Sequence, residues 1–475
     1  MKITLNKIIN LILLAMLMIF GFVCVNGTAV LSGTKSTDLL PTWEFFMFFA
    51  LTIASLAGIL IYNILKNNYR PSIPFVILFS TLFLCGFLTL LSYRSGSYFF
   101  FISLAQDADG VYSFSGPVVG FSYELAPVMR ITFIVQYFLL LLMTFTVVDI
   151  APKLFDGKKL MLFASLVMLA VGLVCIVISL IKEPQQYKFF LQALFKGEGE
   201  LALYAVFSLF TFKNSYGFVL FLCILSSLYL HHYKAHWWWF IATGLFFVEL
   251  VFNWDKSAIA LGFVAIIAYL IFRFVITFKE HKKRNIIAAS CVGGVFLLLV
   301  LAFVVAGCIN NKIFDALFSS IITSRGNSTI DTRSWVWHKD KLLFSEFSPL
   351  FGVGFKLFAR LLYNYNQVDV VDTVNATAYA AHNGYYELIG TGGFILLATF
   401  FAITAYTIYL SIKYFKEDKN LGFFPMLFIS IMLIYMFFES GTYLFSQTFD
   451  YAYLSLLIFA PIYSYHYQKK AELSL

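Results

Sequence analysis

Asn310-Asn311-Lys312, then Thr323-Ser324-Arg325-Gly326-Asn327-Ser328, Asp331-Thr332-Arg333-Ser334-Trp335-Val336-Trp337, Pro349-Leu350-Phe351-Gly352-Val353-Gly354 and finally His382-Asn383 make up the one long polar interval in this chain. On both sides of it the sequence is almost continuously apolar. The full 475 residues are 61% hydrophobic and only 12% charged, with a mean hydropathy of +0.84. A soluble domain of this length has no interior large enough to hide so much apolar side chain, so lipid must be the solvent. In lipid every backbone N–H and C=O is satisfied within its own segment, and these runs are too long and too evenly apolar for barrel strands. The expected fold is therefore an all-α polytopic membrane protein, with the interval 310–383 as a folded cap on one face.

Roughly 20 apolar residues cross a bilayer, which places about twelve spans in the chain. They fall near 8–30, 42–65, 73–92, 130–149, 160–181, 216–231, 237–253, 257–277, 287–308, 384–412, 422–440 and 446–465. The N-terminal run follows Lys2 and Lys7 like a signal peptide, but it is long and no small-x-small site follows, so it is read as the first span. Segment 186–212 is too short in its apolar part to cross and is expected to be interfacial or re-entrant. The chain thus divides into nine spans (1–308), one large external cap between helices nine and ten (309–383) and three further spans (384–475).

Sidedness follows from the positive-inside rule. With Lys2 and Lys7 inside, the inner loops are 66–70, 152–159, 231–236, 279–284, 413–419 and the tail carrying Lys469 and Lys470, and each holds a cation. The other set is 26–41, 92–129, 182–215, 254–256, 309–383 and 440–446. Both termini are expected in the cytoplasm of a protein of the cytoplasmic (inner) membrane, with the cap outside. The net charge of +8 resides mainly in short loops, where it sets orientation, and no nucleic-acid partner is expected. The six cysteines are scattered through apolar runs with no metal spacing. Trp237-Trp238-Trp239 stands where an interfacial belt belongs.

The outer face collects the residues suited to chemistry: Lys213-Asn214, Asp255-Lys256-Ser257, Arg325, Arg333 and His382-Asn383. Guanidinium groups grip phosphate through paired N–H donors, lysine adds a compact charge, and histidine accepts a proton near neutral pH. Such a set suits a substrate with a lipid tail and a phosphate head. Each residue also has a plainer reading. Ser328-x-x-Asp331 has capping-box form, so Arg333 would sit on a short helix one turn before Trp337 and could stack on that ring. Arg325 lies in a Gly/Asn/Ser turn and could be a solvated loop charge. Lys256 can snorkel to the interface or pair with Asp255. His382 could be a helix-terminal imidazole. Glu387, one turn inside the next span, is the more demanding group, because a buried carboxylate needs a partner or a proton. Glu439, Asp450, Arg130 and Glu124 raise the same question.

Three pieces in fixed order carry a resemblance: Arg333-Ser-Trp-Val-Trp-His-Lys-Asp-Lys-Leu-Leu-Phe344, Pro349-Leu-Phe-Gly-Val-Gly354 and His382-Asn-Gly-Tyr-Tyr-Glu-Leu-Ile-Gly-Thr-Gly-Gly393. Together they resemble the signature region of the O-antigen ligase and Wzy-type polymerase superfamily. Thr211-Phe-Lys-Asn-Ser-Tyr-Gly217 is similar to that family's Gly/Asn turn before a helix, and Asp255-Lys256-Ser257-Ala258 stands where members show Ser-Arg and small residues. The likeness runs from about 211 to about 396. The chain departs from the pattern twice: lysine replaces arginine at 256, which loses bidentate geometry, and Leu396 occupies a later glycine position.

The resemblance implies a metal-independent, inverting membrane glycosyltransferase that uses no cofactor and acts on undecaprenyl-diphosphate-linked glycan at the outer face. It assigns His382 to the acceptor hydroxyl, and Arg333 and Lys256 to the diphosphate with Arg325 beside them. Asn383, Trp337, Lys213, Asn214, Glu387, Gly352 and Gly354 are expected in support. The implied partners are the lipid-linked donor, an acceptor glycan or glycolipid, a flippase and a chain-length regulator. Two products fit: repeat units polymerised into a surface polysaccharide, or finished glycan ligated to lipid A core. A lipid-glycan flippase is the alternative from another class. Transporters, however, keep polar groups near the midplane and show repeats with broken helices, whereas here the polar residues gather at one interface.

Overall fold

The computed structural model describes residues 71–92, 97–106, 112–123, 144–198, 201–210, 213–234, 236–277, 382–439 and 449–472, with isolated positions within 8–65, 137–142 and 312–354. These residues are mostly helical. Among the described residues four helices are long and apolar enough to cross a membrane: Gly157–Lys182, Lys213–Tyr233, Lys256–Ile276 and Gly384–Phe415. Shorter apolar helices cover Phe75–Phe87, Trp238–Asn253 and Leu421–Tyr435. The expected spans 8–30, 42–65 and 287–308 and most of the cap lie outside the described residues.

In chain order the elements are α1 (Ile73–Ser92), β1 (Ser97–Gln106), β2 (Tyr112–Tyr123), a π-helical turn at Thr146–Ile150, α2 (Ala151–Leu154), α3 (Gly157–Lys182), α4 (Pro184–Lys196), a 3-10 turn at Leu201–Tyr204, α5 (Lys213–Lys234), α6 (Trp238–Asn253), α7 (Lys256–Thr277), α8 (Gly384–Phe415), α9 (Lys419–Tyr435) and α10 (Phe449–Glu472). The hairpin β1–β2 departs from the all-α expectation. Its antiparallel register runs from Ser97 opposite Tyr123 to Gln106 opposite Tyr112, with a shift between Ile102 and Leu104. The stretch is rich in the aromatic and β-branched residues that favour strands. It was expected as an outer loop because span-length windows pass over short extended segments. A two-residue pair, Thr323–Ser324 with Asn327–Ser328, forms within the cap.

The described residues fall into two compact units, one taking in those up to Leu160 and from Thr332 onward, the other Met161–Asp331. In the second unit α5 is buried on every side from Tyr216 to Leu230. Around it α3 and α7 bury one face and expose large apolar side chains on the other, among them Leu173, Val177 and Ile181 on α3 and Phe263, Ile271 and Val275 on α7. An apolar surface of this kind belongs against lipid. Segment 186–212 resolves into α4, too short to cross, followed by the 3-10 turn. Pro184 begins α4 and Gly197 ends it at φ 81°, the usual asymmetry of helix ends. Glu183 then accepts the N–H groups of Phe207 and Ser208 at 2.9 and 3.0 Å, folding the chain back toward α5.

In the first unit a buried carboxylate gathers three segments at one end. Asp149, fully buried, accepts from Ser72 N–H at 3.0 Å, Ser72 Oγ at 2.6 Å and Tyr467 Oη at 3.0 Å, and pairs with Lys153 at 2.8 Å. At the same end Lys158 meets Asp418 at 2.6 Å and Lys469 meets Glu417 at 3.6 Å. The loops preceding α1, preceding α3 and following α8, and the C-terminal segment, are those expected on one side of the membrane by charge. In this unit they come together. The described ends of α8 and α9 at 382–384 and 436–439 meet at the opposite end, as alternation requires.

Candidate functional site

His382-Asn383 opens α8. Asn383 is its N-cap: its backbone is extended, and its side-chain oxygen accepts from Tyr385 N–H at 3.0 Å and Tyr386 N–H at 3.2 Å. This satisfies two of the N–H donors that a helix start leaves open. His382 precedes it at φ 48°, a left-handed conformation that a non-glycine residue adopts only when its surroundings hold it there. The residues just after it are tied to the end of α9: Gly384 N–H donates to Met436 O at 2.7 Å, and Tyr385 Oη donates to Leu433 O at 2.7 Å. These contacts pin the start of α8 to the end of α9.

The same pinning brings Glu439 to the histidine. Its carboxylate lies 3.7 Å from His382 Nδ1, with the glutamate side chain 8% and the histidine 38% exposed. At this distance, beyond a hydrogen bond, the carboxylate acts on a charged imidazole through its charge. Glu439 was among several open candidates in the sequence. Its pairing with His382 could not be read there, because it depends on α8 and α9 meeting end to end. Glu387 is half-buried in the first turn of α8, where the helix N-terminus favours negative charge. Its setting is therefore milder than a fully buried carboxylate. Trp337, half-buried, meets the ring of Tyr386 edge-on at 6.5 Å.

One turn farther along, α8 is broken. Gly392 (φ −139°) and Gly393 (φ 66°, ψ −165°) leave helical geometry, and the 349–354 turn fits into the gap. Phe394 N–H donates to Pro349 O at 2.9 Å and Ile395 N–H to Leu350 O at 3.3 Å. A Cβ on Gly393 would lie 2.1 Å from Leu350 O, and one on Gly352 (φ 69°) would lie 2.6 Å from Gly390 O. Both positions need glycine, for the backbone angle and for the close approach. Gly352 and the buried Gly354 thus belong to a turn packed onto α8.

The second unit carries the other basic residues. Lys213 and Asn214 begin α5, and Lys256 begins α7. Asn253, fully buried, ties the two starts together: its Nδ2 donates to Lys213 O at 3.0 Å and to Val206 O at 2.8 Å. Lys213 Nζ reaches Trp254 O at 3.5 Å, the outer limit of a hydrogen bond. Asp255, 2% exposed, accepts from Ser257 N–H at 3.1 Å and Ala258 N–H at 3.2 Å. It is thus the N-cap of α7, a role the sequence reading did not assign it. A Cβ on Gly217 would lie 2.5 Å from Asp255 Cβ, so the glycine of that motif lets the α6–α7 corner press against α5.

Behind this corner a polar network locks α4, α5 and α6. Glu249 is buried and accepts from Tyr187 Oη at 2.8 Å and Tyr216 Oη at 2.9 Å. Burial, with the neighbouring Glu249 carboxylate, pushes the Tyr187 hydroxyl above the ordinary phenol value, so it remains a donor at physiological pH. The sequence signal for this network was a lone glutamate inside an apolar run, which demands a partner. Arg325, Arg333, Arg130 and Glu124 lie outside the described residues, as do the side-chain surroundings of Asp450.

Residues 256–401 match the family model described as O-antigen ligase. The match takes in Lys256, Arg325, Arg333, Trp337, the 349–354 turn, His382-Asn383 and the broken half of α8. It bears out the resemblance to the O-antigen ligase and Wzy-type superfamily. No curated protein matches the chain.

Proposed function

We propose that this multi-pass membrane protein is a glycosyltransferase that polymerises undecaprenyl-diphosphate-linked repeat units of a surface polysaccharide at the outer face of the cytoplasmic membrane. The family match supports the coarser statement, a membrane enzyme of O-antigen or polysaccharide assembly acting on lipid-linked glycan. The observation that supports glycosyl transfer is the His382–Glu439 pair, with His382 at a capped helix start within the matched segment.

In this reading His382 takes the proton of an acceptor sugar hydroxyl as that oxygen attacks the anomeric carbon. The new C–O bond forms on the face opposite the leaving diphosphate, whose bond to the same carbon breaks, so the configuration inverts. Glu439 balances the imidazolium charge. Arg333, Arg325 and Lys256 are the proposed partners of the departing lipid diphosphate, where negative charge grows. Nδ1 faces Glu439, so Nε2 is the nitrogen assigned to substrate. No metal enters the scheme, because the cations assigned to the leaving group are side chains.

The test is His382→Ala in a strain lacking the chromosomal copy, at matched levels of inserted protein. Loss of long glycan chains with a single repeat still attached is the expected result, and full-length chains would remove His382 from the reaction. The description of the matched family favours ligation as the second reading. In that case the same variant loses attached glycan altogether. A broken helix is also a transporter feature. In α8, however, the break is filled by the backbone of the 349–354 turn, which takes up the N–H groups of Phe394 and Ile395.

A further inference from the structure

The first half of α8, roughly two turns from 384 to 391, is gripped at both ends by the chain that precedes it. At its start the Trp337 ring meets Tyr386 at 6.5 Å. At its end the 349–354 turn enters the break at Gly392–Gly393. A helix that restarts after a break exposes open N–H groups. Here those of Phe394 and Ile395 are taken by the carbonyls of Pro349 and Leu350 at 2.9 and 3.3 Å, so the turn caps the second half of α8 from outside it. Gly352 and Gly393 approach so closely that each faces backbone atoms of the other segment, with added Cβ atoms 2.1 to 2.7 Å from them. Backbone cannot move aside as a side chain does, so the fit has one depth and one register.

We propose that the 349–354 turn and the α8 break form a clamp that holds the half-helix carrying His382 in one register, and that Gly352 and Gly393 are positioning residues for transfer. The proposal rests on the reading that His382 serves the transfer reaction. Neither glycine touches substrate. They act by keeping the acceptor-activating imidazole at the start of α8 in a fixed position, to which rates are steeply sensitive.

Two variants open the clamp by different means. Gly393→Ala places a methyl against Leu350 O at a backbone angle that alanine resists. Phe394→Pro removes the N–H that Pro349 accepts, at a helix-start position where proline is tolerated and where the lost ring is 52% exposed. Gly422→Ala is the control: its Cβ would lie 2.6 Å from Ser411 O, a comparable crowding on α9 away from the break. Three readouts are compared in purified protein: hydrogen exchange at the Ile395 amide, binding of undecaprenyl diphosphate in detergent, and glycan transfer per inserted molecule.

In both clamp variants Ile395 exchange should accelerate, and transfer should fall at least about tenfold more than undecaprenyl diphosphate binding does. Gly422→Ala should show neither effect. Wild-type transfer in variants whose Ile395 exchange has risen would overturn the proposal. So would unchanged exchange in both, or a loss of transfer that only tracks the amount of folded protein, as a general packing defect gives. Those failures leave His382→Ala inactive, whereas failure of the underlying reaction scheme shows as activity in His382→Ala whatever the clamp does.

Discussion

Replacing Glu439 by glutamine removes one charge and keeps the shape and an acceptor oxygen, so it isolates the electrostatic part of the pair. The Nδ1–Oε2 separation is 3.7 Å. At that distance an imidazolium and a carboxylate attract by about 4.5 kcal/mol at an effective dielectric near 20, and by about 1 kcal/mol in bulk water. With the His382 side chain 38% exposed, solvent screens the pair toward the lower figure, leaving about 1–2 kcal/mol. This stabilisation applies to the charged ring, which forms as the acceptor proton is taken, and so belongs to the transition state. Its loss should slow transfer about 5- to 30-fold. The assay is glycan formation from lipid-linked repeat units by purified, matched amounts of wild type and Glu439→Gln. Thermal unfolding is followed in parallel to show that both are folded. An unchanged rate in the variant would refute the role given to Glu439, and so would a slower rate that follows only from less folded protein.

Further outcomes follow from the caps and the buried carboxylate. Asn383→Ala leaves the N–H groups of Tyr385 and Tyr386 without their acceptor and should cost about 1 kcal/mol, with an upper figure of about 2. Asn383→Asp retains the acceptor and should restore the unfolding temperature in detergent. Asp149→Ala strips the hub joining Ser72, Lys153 and Tyr467 and leaves a lysine without its anion. A loss of about 3–5 kcal/mol is expected, seen as a fall in monodisperse protein recovered from membranes. Transfer per surviving molecule should be unaffected, since this cluster lies at the end of the unit away from His382.

Much of the helical framework was legible, because length and hydropathy report directly on the solvent a segment must face. Gly157–Lys182, Lys256–Thr277 and Gly384–Phe415 coincide with runs expected as spans. Asn383 was also legible as a helix start, since the polar cap residue directly precedes the apolar run. The pairing of Glu439 with His382 was not, because Glu439, Asp450, Glu124 and Arg130 look alike until the helix ends are brought together. Asp255 also caps α7 through the Ser257 and Ala258 N–H groups, a role set by local backbone geometry that charge reasoning did not supply. The Gly392–Gly393 pair was noted as part of a motif. Its meaning as a break emerges only with the turn that fills it, a contact between segments some 40 residues apart. The β1–β2 hairpin escaped notice because strand signals are short and lie in a stretch already too polar for a span.

The account rests on bond formation by this chain, and the direct measurement is reconstitution. Purified protein in liposomes is given a lipid-linked repeat unit as both donor and acceptor, with a chelator present. The account predicts a new glycosidic bond of inverted configuration with release of undecaprenyl diphosphate, and no product from His382→Ala. Movement of the lipid-linked unit across the bilayer with no bond formed would contradict it.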